Sequence, residues 1–279
     1  MVSNKKPKVS VIMPFYNCEK YLDKAISSIL NQTFQDFEFI IINDASTDRS
    51  DEIVKKYLTD KRIVYIKNRE RKGIVYNLNK GIEIAKADII ARMDGDDISE
   101  PQRLEVQYQF LQRNPNIALV GCFVKLINEK GEICGRKIKP ITHEEIKKDI
   151  LIYSPFVHPT IMIRKDVFKK VGFYREQYYV WAQDIDLWYR IIFSGYEVAN
   201  IPQYLYQYRI TDNSVVFKYA RQVALKNFRL RKEAIKEFKL KPSLKEYFFM
   251  YLHLFLGLIL TGRQKEKLQN LYKKLFYGE

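Results

Sequence analysis

The amino-acid sequence predicts an α/β fold, a mostly parallel sheet flanked by helices, with a helical appendage at the C-terminus. Three observations carry this reading. Short β-branched runs alternate with helix-period segments through the first half, the pattern of strands joined by crossover helices. An acidic cluster, Asp94-Gly-Asp-Asp97, directly follows an apolar run, at the kind of strand end where ligands gather in open α/β sheets. From about Val216 the pattern changes to long helical stretches, first basic and then almost wholly apolar.

Strands are predicted at 9–13, 37–43, 63–67 and 88–93. Between the first two, Leu22, Ala25, Ile26, Ile29 and Leu30 recur at helical spacing, which gives one buried face. Further helices are expected over about 48–57 and 74–85. Pro101 suits the first turn of a helix carrying Leu104, Tyr108 and Leu111, and Asn114-Pro115 ends it. A long strand is expected over 117–127 and a turn at 129–131, and Thr142-His-Glu-Glu145 reads as a capping box opening another helix. The stretch 153–209 is expected to hold loops, one helix over about 184–193 and a closing strand.

A chain of 279 residues buries one full core and leaves a tail, so one main domain over 1–215 and a helical region over 216–279 are expected. Hydrophobic residues make up 47% and aromatics 14%, which excludes a disordered chain. Cys18, Cys122 and Cys134 form no C-x-x-C pair and are odd in number, so neither a zinc knuckle nor a closed disulfide framework is indicated. Reduced thiols, and a basic start without a signal-peptide pattern, fit a cytoplasmic protein. The net charge of +15 is mostly a tail property, since 15 Lys and Arg stand against 5 Asp and Glu from Lys218 onward.

Two carboxylates at Asp94 and Asp96 suit Mg²⁺ or Mn²⁺, hard ions that take their remaining ligands from water and substrate phosphates. In extended chain, residues two apart point the same way, so these side chains are expected to converge, with Gly95 letting a bulky anion approach the backbone. The competing reading is a solvated acidic turn. Asp44, after the second strand, could accept the N3–H of uracil, whereas Ser46 or Asp48 is expected to cap the next helix. Pro14-Phe-Tyr-Asn17 replaces the glycines of a dinucleotide-binding turn, which removes support for nicotinamide or flavin chemistry. Two readings of Tyr16 stay open, a ring stacked on a base and ordinary core at a strand end.

Taken in order, Val9-Ser-Val-Ile-Met-Pro-Phe-Tyr-Asn17, Asn43-Asp-Ala-Ser-Thr-Asp48, Met93-Asp-Gly-Asp-Asp97 with Pro101 and Arg103-Leu104, His158-Pro-Thr160 and Gln183-Asp-Ile-Asp-Leu-Trp-Tyr-Arg190 resemble family 2 of the inverting glycosyltransferases. The resemblance spans roughly 9–214. It implies a GT-A (Rossmann-like) fold, a nucleotide-diphospho-sugar donor, a divalent metal and a saccharide or lipid-linked acceptor, with a nucleotide-binding half over 1–100 and an acceptor half over 101–215. Carried over by position, Pro14, Tyr16, Asn17, Asp44 and Asp94 would bind the nucleotide sugar, Asp94 and Asp96 the metal, and Asp184 would be the general base. UDP is the expected nucleotide, and cell-surface polysaccharide or glycolipid biosynthesis the expected setting.

On a helix, Asp184 and Asp186 lie about 200° apart, so only one is expected to face the site. Two departures from the family pattern stand out. Gln183 replaces a frequent acidic residue, which removes a charge beside the base and is expected to lower its pKa relative to paired carboxylates. Thr211 stands where a histidine is frequent. His158 and Arg209 each have a structural reading beside a functional one.

The basic stretch 218–245, the apolar run 247–261 and the basic stretch 263–274 suit an anionic membrane surface. They equally suit a helical pair packed on the catalytic domain or on a second subunit. About fifteen apolar residues fall short of a membrane span. The alternative to an enzyme is a non-catalytic nucleotide-sugar-binding or membrane-surface scaffold; no nucleic-acid module is recognisable.

Overall fold

The computed structural model describes residues 6–178, 182–211, 219–260 and 264. β1 (Val9–Phe15), β2 (Phe37–Asn43), β3 (Ile63–Lys67) and β4 (Ile89–Arg92) form a parallel block in the order β3-β2-β1-β4. The crossovers are α1 (Leu22–Leu30), α2 (Ser50–Lys55) and α3 (Ile74–Ile84). Alternation along the strands divides the core. Val11, Met13, Phe39 and Ile41 meet Leu22, Ala25, Ile26 and Ile29 of α1, while Ile12, Ile40 and Ile42 meet Val75, Leu78 and Ile82 of α3. Helices therefore cover both faces, and the strand order reverses between β1 and β4, which opens a crevice at their carboxyl ends.

The second half continues the sheet with β5 (Ile98–Ser99), α4 (Arg103–Arg113), β6 (Ile117–Ile127), β7 (Ile133–Lys137), α5 (His143–Asp149), β8 (Met162–Arg164), α6 (Val167–Val171), α7 (Gln183–Phe193) and β9 (Glu197–Arg209). β8 lies antiparallel between β4 and β6, β6 and β9 pair in parallel along most of their length, and β5 closes the far edge on β9. The long ladders are parallel, as expected. The short antiparallel strands β5, β7 and β8 were not expected, because two to five residues carry no readable alternation.

Local chemistry accounts for several boundaries. β1 runs on through Pro14 because β4 has already turned away on the side where the missing N–H would have donated; the Asp44 N–H still reaches the Phe15 carbonyl at 2.9 Å. The capping box at α5 forms, with Thr142 Oγ1 accepting the Glu145 N–H and the Glu145 carboxylate accepting that of Thr142.

At the C-terminus, α8 (Ala220–Glu237) packs Leu230 and Ala234 into the core beside Trp188 of α7. α9 (Leu244–Ile259) opens with a second capping box, Ser243 and Glu246. Among the described residues, no helix is long and apolar enough to cross a membrane. The expected boundary at 215/216 and, apart from Gln264, the basic stretch 263–274 lie outside the described residues.

Gly121 of β6 sets a packing limit. A Cβ there would collide with Asn200 Oδ1 and come within 2.9 Å of the Phe156 ring, and Asn200 Nδ2 ties down the carbonyls of Pro140 at 2.7 Å and Pro155 at 3.1 Å. Gly121→Ala is expected to lower stability by about 1–3 kcal/mol through overpacking, read as a reduced urea midpoint at unchanged slope. An unchanged midpoint would show that the Asn200 network yields freely.

Candidate active site

The loops after β1 to β4 meet at one edge of the sheet. Asn17 takes a left-handed backbone conformation, φ 50°. Its N–H donates to Ser46 Oγ at 3.0 Å and its side-chain oxygen accepts the Thr47 N–H at 2.9 Å. The Cys18 N–H donates to Ser50 Oγ at 2.9 Å, and the Glu19 N–H to Asp48 Oδ2 at 3.0 Å. Asp48 also accepts the Ser50 N–H at 3.0 Å just before α2, but the N-cap position falls on Arg49 without a side-chain cap, so neither Ser46 nor Asp48 occupies it as expected. Asn17 thus acts as a clamp between loops. Tyr16 is half-buried, and the Arg71 guanidinium lies 4.1 Å from its ring centre. Phe15, not Tyr16, is the core residue of that pair.

Asp44 is 4% exposed and has a structural duty that the sequence reading missed. Its carboxylate accepts from Asn68 Nδ2 at 2.9 Å, the Lys72 N–H at 2.8 Å and the Gly73 N–H at 2.9 Å. Gly73 is the N-cap of α3, so Asp44 caps that helix from another loop. Burial would raise its pKa, but donors from Asn77, Lys72, Asn68 and Gly73 outweigh it and hold the carboxyl below the usual range.

Asp94 and Asp96 converge, but through a turn and not through extended chain. Asp97 joins them, and ligating oxygens of all three lie within 4.8 Å of one another. Gly95 also corrects the sequence reading. A Cβ there would lie 2.9 Å from that of Phe15 and 3.5 Å from Cys18 Sγ, so the missing side chain lets this turn pack on the first loop rather than opening room for an anion.

Buried cations hold the cluster. Arg92, at the end of β4, grips Asp94 through both terminal nitrogens at 3.0 and 2.7 Å. Arg209 donates its N–H to Asp97 Oδ1 at 2.7 Å and its Nε to the Asp96 carbonyl at 2.7 Å, with its guanidinium 4.1 Å from the Tyr21 ring centre. It is a structural brace, not a phosphate ligand on display. The Asp94 N–H donates to the Tyr206 hydroxyl at 3.2 Å.

Burial and the neighbouring Asp94 charge push Asp96 up to about 6, against the pull of Arg209 and Arg92. Burial, Asp96 and Asp94 push Asp97 well above the usual carboxylate range as well. Cys18, buried beside Asp96, is pushed up to about 12 and stays a thiol.

Oδ2 of Asp97 is buried without a hydrogen-bond partner. Three crowded carboxylates with a spare oxygen fit a hard divalent cation, which would relieve the mutual repulsion that adds to the effect of burial on Asp96 and Asp97.

Asp184 and Asp186 both stand in the first turn of α7 and diverge as expected. Asp186 is buried against Arg190 at 2.7 Å and Arg175 at 3.3 Å. Asp184 lies apart from that pairing, and Arg92 exerts the largest cationic influence on it. Burial raises its pKa despite the Ile185 N–H and the Arg92 charge; desolvation, not the neutral Gln183, sets the direction. His158 Nε2 meets the Tyr174 hydroxyl at 2.8 Å, its ring packs edge-on against Trp188, and burial together with Arg92 keeps it neutral. This is the structural reading of His158.

Sequence reasoning gave no role to Arg92, Arg71 or, within the acidic cluster, Asp97. The first had a readable signal, a lone cation ending an apolar strand.

The two α7 carboxylates should separate in stability measurements. Asp186→Asn breaks a buried pair and is expected to cost about 3–5 kcal/mol. Asp184 has a raised folded-state pKa, so its ionised form destabilises the fold at pH above that value, and the penalty fades as pH falls and the carboxyl takes up its proton. Asp184→Asn should therefore raise Tm at pH 8, with the gain vanishing near pH 4. A loss of Tm in that variant at pH 8 would contradict the assigned environment.

Residues 10–172 match the glycosyl transferase family 2. The O-antigen biosynthesis glycosyltransferase WbnJ of Escherichia coli is 34% identical over 90% of this chain and 96% of its own length. Two solved structures share the fold. TarS of S. aureus, residues 1–349 in complex with UDP-GlcNAc, aligns with a TM-score of 0.61 at 18% identity, over 90% of this chain and 81% of that one. The mannosyltransferase PcManGT from Pyrobaculum calidifontis, in complex with GDP-Man and Mn²⁺, gives 0.61 at 17% identity, over 99% and 89%. With a GT-A-type sheet, the acidic turn at its switch point and a relative matched along nearly its whole length, the chain belongs to glycosyl transferase family 2 and is a glycosyltransferase.

Proposed function

We propose that this glycosyltransferase moves a sugar from a UDP-sugar to an acceptor hydroxyl with inversion at the anomeric carbon, in cell-surface polysaccharide or glycolipid assembly. The observation that carries the reading is Arg92. It grips Asp94, and its charge is also felt at Asp96 and Asp184, which supports a reading in which the acidic turn and the α7 carboxylate serve one site. The O-antigen role of WbnJ supports the setting. TarS with UDP-GlcNAc and PcManGT with GDP-Man support a nucleotide-sugar donor.

In this reading, residues 1–100 bind the nucleotide, 101–215 shape the acceptor side and 216–279 are appended. The half-exposed Tyr16 ring, backed by Arg71, offers a face for the base, and Pro14 and Asn17 fix the loop that presents it. Asp44, held by its donors at the end of β2, accepts the uracil N3–H. Asp94 meets the ribose or shares the metal with Asp96, and Asp97 completes the acidic set. A bound Mn²⁺ or Mg²⁺ would neutralise charge developing on the departing diphosphate. Asp184 accepts the proton of the attacking hydroxyl, and a pKa raised by burial makes it a stronger base once ionised. Attack on the face opposite the diphosphate inverts the centre. We place the enzyme in the cytoplasm, at the inner face of a membrane.

Thermal-shift measurements with UDP, GDP and TDP, each with and without Mn²⁺, test the donor site, because a ligand of the folded state raises Tm. The largest shift is expected with UDP plus Mn²⁺, lost in Asp96→Ala and kept in Asp184→Ala. No shift with any of the diphosphates at millimolar concentration would favour the scaffold alternative.

Once an acceptor is found, Asp184→Ala should lower kcat by roughly 10²–10⁴ while donor affinity is retained. Wild-type kcat/KM should fall on the acid side with an apparent pKa above the ordinary aspartate value of about 3.9. An unchanged kcat would remove Asp184 from the base role.

A further inference from the structure

The face of α9 turned away from the protein is exposed. Leu244, Tyr247, Phe248, Tyr251, Phe255, Leu258 and Ile259 are all exposed, from 38% at Leu258 to 89% at Leu244. At about 100° per residue these seven side chains fall within an arc of roughly 120°, with no charge among them. Met250 and Gly257 are buried on the other side of the helix. The result is one continuous apolar and aromatic stripe along sixteen residues, about 24 Å long.

A basic row lies beside it. On α8, Arg221, Leu225, Arg229, Lys232 and Lys236 are exposed and share one face by the same helical count, with Phe228 at its edge. Phe228 touches Tyr251 of the stripe, ring centres 5.1 Å apart, so basic row and apolar stripe adjoin. The acidic residues of α8 are turned elsewhere. Glu233 accepts from the Tyr178 hydroxyl at 2.6 Å and Glu237 from Arg175 at 2.9 Å, both toward the catalytic domain. Among the described residues, the charged side chains of the outer face of α8 are all cations.

We propose that the α9 stripe and the α8 basic row together form a docking surface for an anionic lipid bilayer, the stripe entering the acyl boundary and the row meeting the head groups. The sixteen-residue helix lies in the interface plane and does not span. Charge selects this occupant over a second copy of the chain. An isologous dimer through the stripe would bring two identical basic rows together, whereas anionic head groups complement them. The surface deepens the membrane location placed above, and its test reads lipid binding and not sugar transfer, so either reading can fail alone.

The test is co-sedimentation of the full chain with phosphatidylcholine vesicles, with and without 30 mol% phosphatidylglycerol, beside analytical ultracentrifugation without lipid. Binding is expected only to the anionic vesicles, falling as salt rises. Phe248→Glu with Phe255→Glu should weaken it at least tenfold, as should Arg229→Glu with Lys232→Glu. All four positions are solvent-facing, so Tm should hold, and a retained Tm shows that lost binding is not lost folding. In Phe255→Trp, brominated lipid should quench the new fluorophore. Three outcomes overturn the proposal: no binding to anionic vesicles, equal binding to neutral ones, or a lipid-free dimer that dissociates on Phe248→Glu with Phe255→Glu.

Discussion

Three carboxylates crowd a single turn at the carboxyl end of β4, and buried arginines hold them there. Much of the surrounding architecture can be understood as the support this arrangement requires. Like charges within a few ångströms in a dry site repel, so each needs a counter-charge or a cation. Arg92 supplies one from the strand itself, and the Arg209 guanidinium, bonded to the Asp96 carbonyl, another from the end of β9. Arg103, fully buried on α4, fixes the turn from below through the Arg92 carbonyl, held at 2.5 Å. Gly95 allows the turn to seat on Phe15, which couples the acidic cluster to the loop after β1.

The same logic extends to α7. Asp186 is committed to Arg190 and Arg175, and Arg175 also reaches Glu237 of α8. That chain of ion pairs fixes the start of the helix and leaves Asp184, one residue from the helix's first position, outside the Asp186 pairing and within the influence of the Arg92 charge. The appended helices are therefore joined to the element that carries the proposed base, and a surface that orients α8 also orients α7. Partly exposed pairs such as Arg175 with Glu237 contribute little stability by themselves. Their value here is positional.

How much of this was legible in the sequence depends on length and period. The four parallel strands and α1 were readable because each repeats its pattern over several residues, and burial on both faces leaves runs such as 37–43 almost wholly apolar. β8, three residues long and inserted antiparallel, had no such signal. At the site, Asp94, Asp96 and Asp184 were found by motif, but the convergence of the first two was ascribed to the wrong backbone, and Asp97 was missed because its role depends on a turn. Asp44 was read only as a ligand of the base. Its structural role, capping α3 across 29 residues of sequence, depends on a tertiary contact that no local pattern encodes.

The central claim is that the acidic turn is completed by a divalent cation bound together with a nucleoside diphosphate. Mn²⁺ binding followed by electron paramagnetic resonance, with and without UDP, tests it most directly, since bound Mn²⁺ loses the sharp signal of the free ion. The account predicts loss of that signal in the presence of UDP for the wild type and for Asp184→Ala, and no loss for Asp96→Ala. A free-ion signal that persists at millimolar protein and UDP, or one lost equally in Asp96→Ala, would contradict it.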